Sequence, residues 1–226
     1  SGYNVWVSML VATGAGMLAG LVTGIFHTFM GIPAILAGIL TQLSLYSVNL
    51  KIMGKANQAI NVDKYNLLVS LRHIKSTSLS KNTIFIVAII CLVVIAILYW
   101  FFGTELGCSL RATGCNPNMS RAQGINTNMN KVLGLMISNG LVGLSSALLA
   151  QYQGFADVNM GRGSIVIGLA AVIIGEAIFG RLSSNFAFHL LAVILGSILY
   201  YLVLQVVIWM GIDTDLLKML SALVVA

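Results

Sequence analysis

Long runs of apolar residues, separated by short polar segments, dominate the pattern of this chain. The longer runs reach about 20 residues, the length at which an α-helix crosses the hydrocarbon layer, and none alternates with the period of two that barrel strands show. The pattern predicts an all-α polytopic bundle of about six or seven apolar segments, with room for one re-entrant segment where a run is short and glycine-rich. In order, the runs cover residues 5–30, 34–53, 83–102, 132–152, 164–180, 185–209 and the end of the chain from 216.

Three glycines recur at four-residue spacing in the first run. Gly16, Gly20 and Gly24 fall on one side of a helix, where the missing side chains let a neighbouring helix backbone approach closely. Such close packing replaces the hydrophobic drive that lipid does not supply between helices. We therefore predict a helix-packing face, with a hinge beside a gate as the alternative.

Several polar side chains lie inside the apolar runs. An unpaired amide in hydrocarbon costs several kcal/mol, so these groups either hydrogen-bond to a neighbouring helix or line a wet path for a solute. Asn139, near the middle of its run, is the residue for which bonding between helices is the stronger alternative. The candidates for a solute path are Thr41, Gln42, Ser138, Asn139 and Gln205.

The polar segment at residues 106–125 contains the signals of a short helix. Asn116 is a favourable N-cap, and Pro117 suits the first helical position because its missing N–H has no partner there in any case. Gly124 can adopt the left-handed conformation that ends a helix. The sequence therefore predicts a helix over 117–123, and its capped, basic character indicates a surface on which a partner docks. Side chains placed beside or on this helix are Arg111, Met119 and Arg121.

Composition and charge narrow the class of protein. With 58% hydrophobic residues, 8% charged residues and a mean hydropathy of +0.97, the chain is an integral membrane protein. The net charge is +6, but the basic residues lie mostly in loops beside apolar runs, so lipid headgroups or a protein are the expected contacts rather than nucleic acid. The three cysteines lack a second pair or a histidine cluster, so no metal site is expected.

Motifs of catalysis are absent from the sequence. It contains no GxxxxGK[ST], HExxH, GxSxG or CxxC, and no paired carboxylates at helical spacing within a run. We therefore expect no enzymatic activity and no cofactor in this chain, and transport would draw its energy from a partner or an ion gradient. An ion-coupled secondary transporter would need a buried acid, for which Glu176 is the candidate, although Arg181 can pair with it near the interface. In a non-transporting membrane scaffold, the polar groups would serve as contacts between helices.

The segment Leu110-Arg111-Ala112-Thr113-Gly114-Cys115-Asn116-Pro117, followed by Ala122, Gly124 and Ile125, resembles a family signature. It is similar to the cytoplasmic R-A-x-G-x-N-P to A-x-G-I stretch of ABC-importer permeases of the branched-chain amino acid and ribose type. The turn at 31–33, the glycine-rich segment 168–180 and the terminal segment 215–226 also resemble that family, and the spelling is most similar to permeases of tryptophan or other amino-acid importers. Met119-Ser120 departs from the small or acidic residues that the family often has there.

The resemblance implies one transmembrane permease domain over residues 1–226, trimmed at both ends, in the bacterial cell membrane. It implies a dimer with a second copy or a paralogue. A separate ATPase subunit that binds ATP and Mg²⁺ would dock on the coupling helix at Asn116, and an extracellular substrate-binding lipoprotein would deliver a small solute, an amino acid such as tryptophan. Residues 106–125 would then be cytoplasmic and residues 54–82 an extracellular polar loop. This orientation conflicts with the positive-inside tendency, because the outer loop carries Lys55, Lys64, Arg72, Lys75 and Lys81.

Overall fold

A computed structural model describes residues 4–60, 83–161, 164–180 and 185–210. Five of the helices in these ranges are long and apolar enough to cross a membrane, and they begin at Val5, Ala34, Thr83, Thr127 and Phe186. The predicted all-α polytopic bundle is thereby confirmed. In chain order the elements are α1 Val5–Thr28, α2 Ala34–Met53, β1 Asn57–Ala59, α3 Thr83–Phe102, α4 Glu105–Cys115, α5 Pro117–Ala122, α6 Thr127–Gln153, β2 Phe155–Asp157, α7 Ser164–Phe179 and α8 Phe186–Trp209.

Most helix boundaries agree with the ends of the apolar runs. The helices α2 and α3 cover the predicted residues, and α1 begins at the predicted Val5. By contrast, α6 begins at Thr127 rather than at residue 132, because the Asn126 side chain caps it and accepts a hydrogen bond from the Met129 amide at 3.2 Å. The last predicted run, from residue 216, and Arg181 lie outside the described residues.

The chain divides into two compact units, of which the first comprises residues 1–92 and 100–158. Its centre is an antiparallel pair of helices, α1 and α6, whose backbones touch. A methyl group on Gly16 would collide with the carbonyl oxygen of Asn139, and one on Gly20 with that of Leu135. At Gly24, the same methyl group would lie 3.0 Å from the Cα atom of Val132. The three glycines singled out in the sequence thus all face α6.

Two further contacts complete the first unit. A tight turn, in which Gly31 has a φ of +68°, returns the chain so that α2 packs antiparallel on α1. At the far end, β1 and β2 form an antiparallel pair in which Gln58 lies opposite Ala156, and the Ile60 amide donates to the Gly154 carbonyl at 2.8 Å. These strands were not predicted. They join the segments that follow α2 and α6, so residues 54–60 lie at the opposite end of α6 from α5.

The second unit comprises residues 93–99 and 159–226. In it α7 and α8 pack closely, since a methyl group on Gly196 would lie 2.6 Å from the amide nitrogen of Gly175. The helix α7 continues through Gly168 and Gly175 without a break, although the sequence left room for a re-entrant segment here. Its 16 residues span about 24 Å, less than the roughly 30 Å of the hydrocarbon layer. Glu176 is exposed on this helix.

Candidate functional site

The short helix α5 has both predicted caps. The Asn116 side-chain oxygen accepts hydrogen bonds from the backbone amides of Asn118 and Met119, each at 3.1 Å, and Pro117 occupies the first turn. At the other end, Gly124 has a φ of +80°, which favours glycine. The helix is therefore specified locally, and it ends at Ala122, one residue before the predicted end.

A second helix, α4, precedes α5 and was not predicted. Its N-cap is Thr104, whose side-chain oxygen accepts from the Gly107 amide at 3.3 Å, and Glu105 occupies the first turn, where a negative charge is favourable. The pair of a threonine and a following acidic residue was the signal in the sequence from which the start of α4 could have been predicted. Arg111, assigned to a loop by the sequence, consequently lies on the exposed side of α4.

Hydrogen bonds hold α4 and α5 against the first turns of α6. Buried Asn130 donates from its Nδ2 atom to the hydroxyl oxygens of Ser109, at 3.2 Å, and Thr113, at 3.0 Å. We call these three residues the polar clamp. In addition, the Arg121 Nε atom donates to the hydroxyl oxygen of buried Thr127 at 2.9 Å. The two short helices are thus fixed to α6 at two points.

The outer side of α4 and α5 is basic and partly apolar. The Met119 side chain is 53% exposed, and the inward position of α5 belongs to fully buried Ser120. No aspartate or glutamate occurs in the sequence from residue 106 to 156, so this stretch of chain carries only positive charge. We define the α4–α5 face by its exposed residues Arg111, Asn118, Met119 and Arg121.

Two of the five candidates for a solute path make contacts inside the protein. Thr41 is 5% exposed, accepts from the Thr23 hydroxyl at 2.9 Å and donates to the Ala37 carbonyl at 2.9 Å. Thr41 therefore lies in the interface between α1 and α2, and its assignment to a solute path stays a prediction. Half-buried Asn139 donates to the Leu135 carbonyl of its own helix at 2.9 Å.

The other three candidates are exposed. Gln42 and Ser138 lie on the open sides of α2 and α6 in the first unit, and Gln205 lies on α8 in the second. Asn49 and Ser145 are also exposed and follow Gln42 and Ser138 by seven residues, which places each pair on one side of its helix. This spacing was the signal by which the sequence could have added them.

The described cysteines, histidines and acidic residues lie apart from one another. Among the ranges that the structure describes, no group of three or more histidine, cysteine or acidic side chains could hold a metal ion. Cys91, Cys108 and Cys115 are free thiols.

Comparisons with known proteins agree along the whole chain. Residues 1–226 match the family model described as "Branched-chain amino acid transport system / permease component". The chain is 38% identical to a tyrosine transport system permease protein of Clostridioides difficile (strain R20291) over 226 residues, which are 100% of this chain and 72% of that protein. It is 32% identical to an uncharacterized protein of Rickettsia prowazekii (strain Madrid E) over 224 residues, 98% of this chain and 77% of that protein. No solved structure matches.

Proposed function

Since this chain belongs to the family of permease components of branched-chain amino acid transport systems, we propose that it carries an aromatic amino acid of the tyrosine type. The chain is a multi-pass protein of the bacterial cell membrane and the permease subunit of an ABC importer. Support for the solute comes from the relative named as a tyrosine transport permease. Tryptophan, the solute that the sequence suggested, is named by neither relative.

The observation that carries the partner assignment is the α4–α5 face. A partner ATPase subunit, which binds ATP and Mg²⁺, docks there in this proposal. Because Arg121 is exposed and residues 106–156 contain no acidic residue, the complementary groove carries acidic side chains in this proposal, which steer the encounter. The protruding Met119 side chain requires an apolar pocket at its centre, where buried contacts contribute most of the binding energy.

The exposed polar residues of α2 and α6 support a path for the solute. Gln42, Asn49, Ser138 and Ser145 would each be costly against lipid, so a second permease copy covers them in this proposal and encloses a wet path between the copies. An extracellular binding protein delivers the amino acid to it. Closure of the ATPase dimer on ATP then displaces α5 and reorients the path, because ATP binds the closed state more tightly.

The proposed orientation places α5 in the cytoplasm and β1 outside. This leaves Lys55 on the outer side, against the positive-inside tendency, but docking of a cytoplasmic ATPase is the stronger constraint because that rule is statistical. An ion-coupled transporter is less well supported, since Glu176 is exposed on α7 rather than buried as a proton relay would require.

A test of the ATPase contact compares two methionines. In Met119→Asp, a charge enters the proposed apolar pocket, and we expect affinity for the ATPase encoded beside this chain to fall about tenfold or more. The control is Met129→Asp, which alters a methionine that is 61% exposed near the N-terminus of α6, where a carboxylate is tolerated. Affinity is measured by titrating labelled ATPase onto the permease in nanodiscs. Equal affinities for wild type and Met119→Asp would contradict docking at this face.

A test of the solute uses the reconstituted importer. Proteoliposomes that contain the permease, the ATPase and the binding protein are supplied with labelled tyrosine, and unlabelled tryptophan, leucine or ribose is added as competitor. We expect ATP-dependent tyrosine uptake that aromatic amino acids inhibit. Uptake inhibited by leucine or ribose instead would show that the solute class is wrong.

A further inference from the structure

The contacts at the base of α6 explain how a short surface helix could move a long membrane helix. The α4 and α5 helices are 11 and 6 residues long, and a helix of such length has little stability of its own. A displacement of their outer face would not be transmitted to α6 if the two helices could rotate on it. Their orientation therefore depends on the contacts that fix them.

The polar clamp is the buried part of these contacts. Asn130 is 7% exposed and Thr113 is 5% exposed, so water does not compete for the hydrogen bonds between α6 and α4. Next to the clamp, the Leu110 side chain covers Gly134 at 3.7 Å, measured to the position of a methyl group on that glycine. By contrast, Arg121, which donates a hydrogen bond to Thr127, has an exposed side chain, so water competes for this bond.

Beyond the clamp, α6 can carry a displacement over a long distance. Its 27 residues span about 40 Å, more than the hydrocarbon layer, and the clamp holds its first turns. Backbone contacts at Gly16, Gly20 and Gly143 hold α1 closely against α6 at three levels of the pair, so we expect α1 to move with α6. A displacement at the clamp is thus transmitted to both helices together.

We propose that Asn130 is a positioning residue for energy coupling, which fixes the orientation of α4 and α5 on α6 so that movement of α5 drives α6 and α1. This inference rests on the proposed function. It assigns to Asn130 no contact with the ATPase or with the solute. Its loss therefore affects how much transport each ATP hydrolysis produces, and leaves ATPase binding in place.

The experiment measures solute uptake per ATP hydrolysed in proteoliposomes, together with ATPase affinity. In Asn130→Leu, a side chain of similar size removes the amide donor, and we expect uptake per ATP to fall on the order of tenfold, the effect of leaving buried groups unpaired. ATPase affinity should stay within about twofold of wild type, because hydrogen bonds outside an interface contribute little to it. The matched control is Asn128→Leu, whose half-buried side chain has no hydrogen-bond partner among the described residues and should retain wild-type coupling.

Partner variants identify the contact. Thr113→Val removes the acceptor without changing the shape of the side chain, so it should also lower uptake per ATP. The double variant should be no worse than Asn130→Leu alone, because both changes remove one interaction. A second double variant, Asn130→Thr with Thr113→Asn, exchanges the two side chains and restores an amide and a hydroxyl across the same interface. It should recover most of the coupling. No such recovery is expected if the single variants act through a nonspecific loss of stability.

The outcomes separate the two proposals. Wild-type coupling in Asn130→Leu, or equal losses in Asn130→Leu and Asn128→Leu, overturns the positioning role while the proposed function stands. If Asn130→Leu fails to fold, Thr113→Val decides, and wild-type coupling in that variant overturns the role. A wild-type permease that binds no ATPase overturns both proposals.

Discussion

Adding the same methyl group at two glycines of α1, Gly14 and Gly20, should change the stability of the protein in opposite directions. At Gly20 the methyl carbon would lie 2.7 Å from the carbonyl carbon of Leu135 and 2.8 Å from the Cα atom of Met136, whereas ordinary contact begins at 3.4 Å. Both neighbours are backbone atoms, which cannot rotate away. At Gly14, nothing lies within 4 Å of the added carbon.

The distance by which α1 and α6 must separate at Gly20 gives the magnitude of the expected loss of stability. Moving from 2.8 Å to 3.4 Å at Met136 parts the two backbones by about 0.6 Å, and a gap of that size forfeits a quarter or more of each dispersion contact along the seam. Overpacking of this kind costs about 1 to 3 kcal/mol of unfolding free energy. Gly14→Ala lacks this cost and gains up to about 1 kcal/mol, because alanine restricts the unfolded chain and favours the helix.

Unfolding by sodium dodecyl sulfate in mixed micelles, followed by circular dichroism, measures both variants on the same scale. The difference between them removes the helix-propensity effect, since the change from glycine to alanine is common to both. We expect Gly20→Ala to unfold at lower detergent fraction than wild type and Gly14→Ala at an equal or higher one. Equal stabilities for the two variants would refute backbone contact between α1 and α6.

Three further sets of variants test single interactions by the same measurement. Thr23→Val and Thr41→Val should each destabilise the protein, and the double variant should show a coupling of about 1 kcal/mol, because each hydroxyl is the other's partner; strictly additive effects would exclude the bond. Gly124→Ala should cost about 1 kcal/mol through its positive φ, whereas Gly114→Ala, equally free of neighbours but helical, should cost nothing; similar values would contradict the left-handed turn. Tyr200→Phe should stabilise the protein by about 1 kcal/mol or more, because this fully buried hydroxyl has no hydrogen-bond partner within the described ranges; a loss of stability would reveal a partner.

How much the sequence predicts depends on whether the signal is local. Helix bounds such as those of α2 and α3 follow from runs of apolar residues, and α5 follows from the caps at Asn116 and Gly124, because these signals act within a few residues. The glycines of α1 could be assigned to a packing face but not to a partner. The spacing of glycines along α1 does not reveal which other helix packs against them.

The elements that were missed depend on distant partners. The helix α4 has few apolar residues, and its inner side is recognised only once Asn130 and Gly134 of α6 lie against it. The strands β1 and β2 have three residues each and exist as a pair, so neither is visible alone. A hydroxyl in an apolar run, such as that of Thr41, can bond to another helix or line a path, and the sequence alone does not reveal its partner at Thr23.

The contact between α1 and α6 also sets an order on biogenesis. Ribosomal synthesis delivers α1 before α6, and α2 through α5 must follow before the strip of glycines on α1 meets its permanent neighbour. During that interval the groove on α1 is filled by lipid tails or by the insertion machinery, and α6 must displace them on arrival. Truncation between α5 and α6 would therefore leave α1 in the bilayer without its fitted neighbour, a form suited to recognition by membrane quality-control proteases.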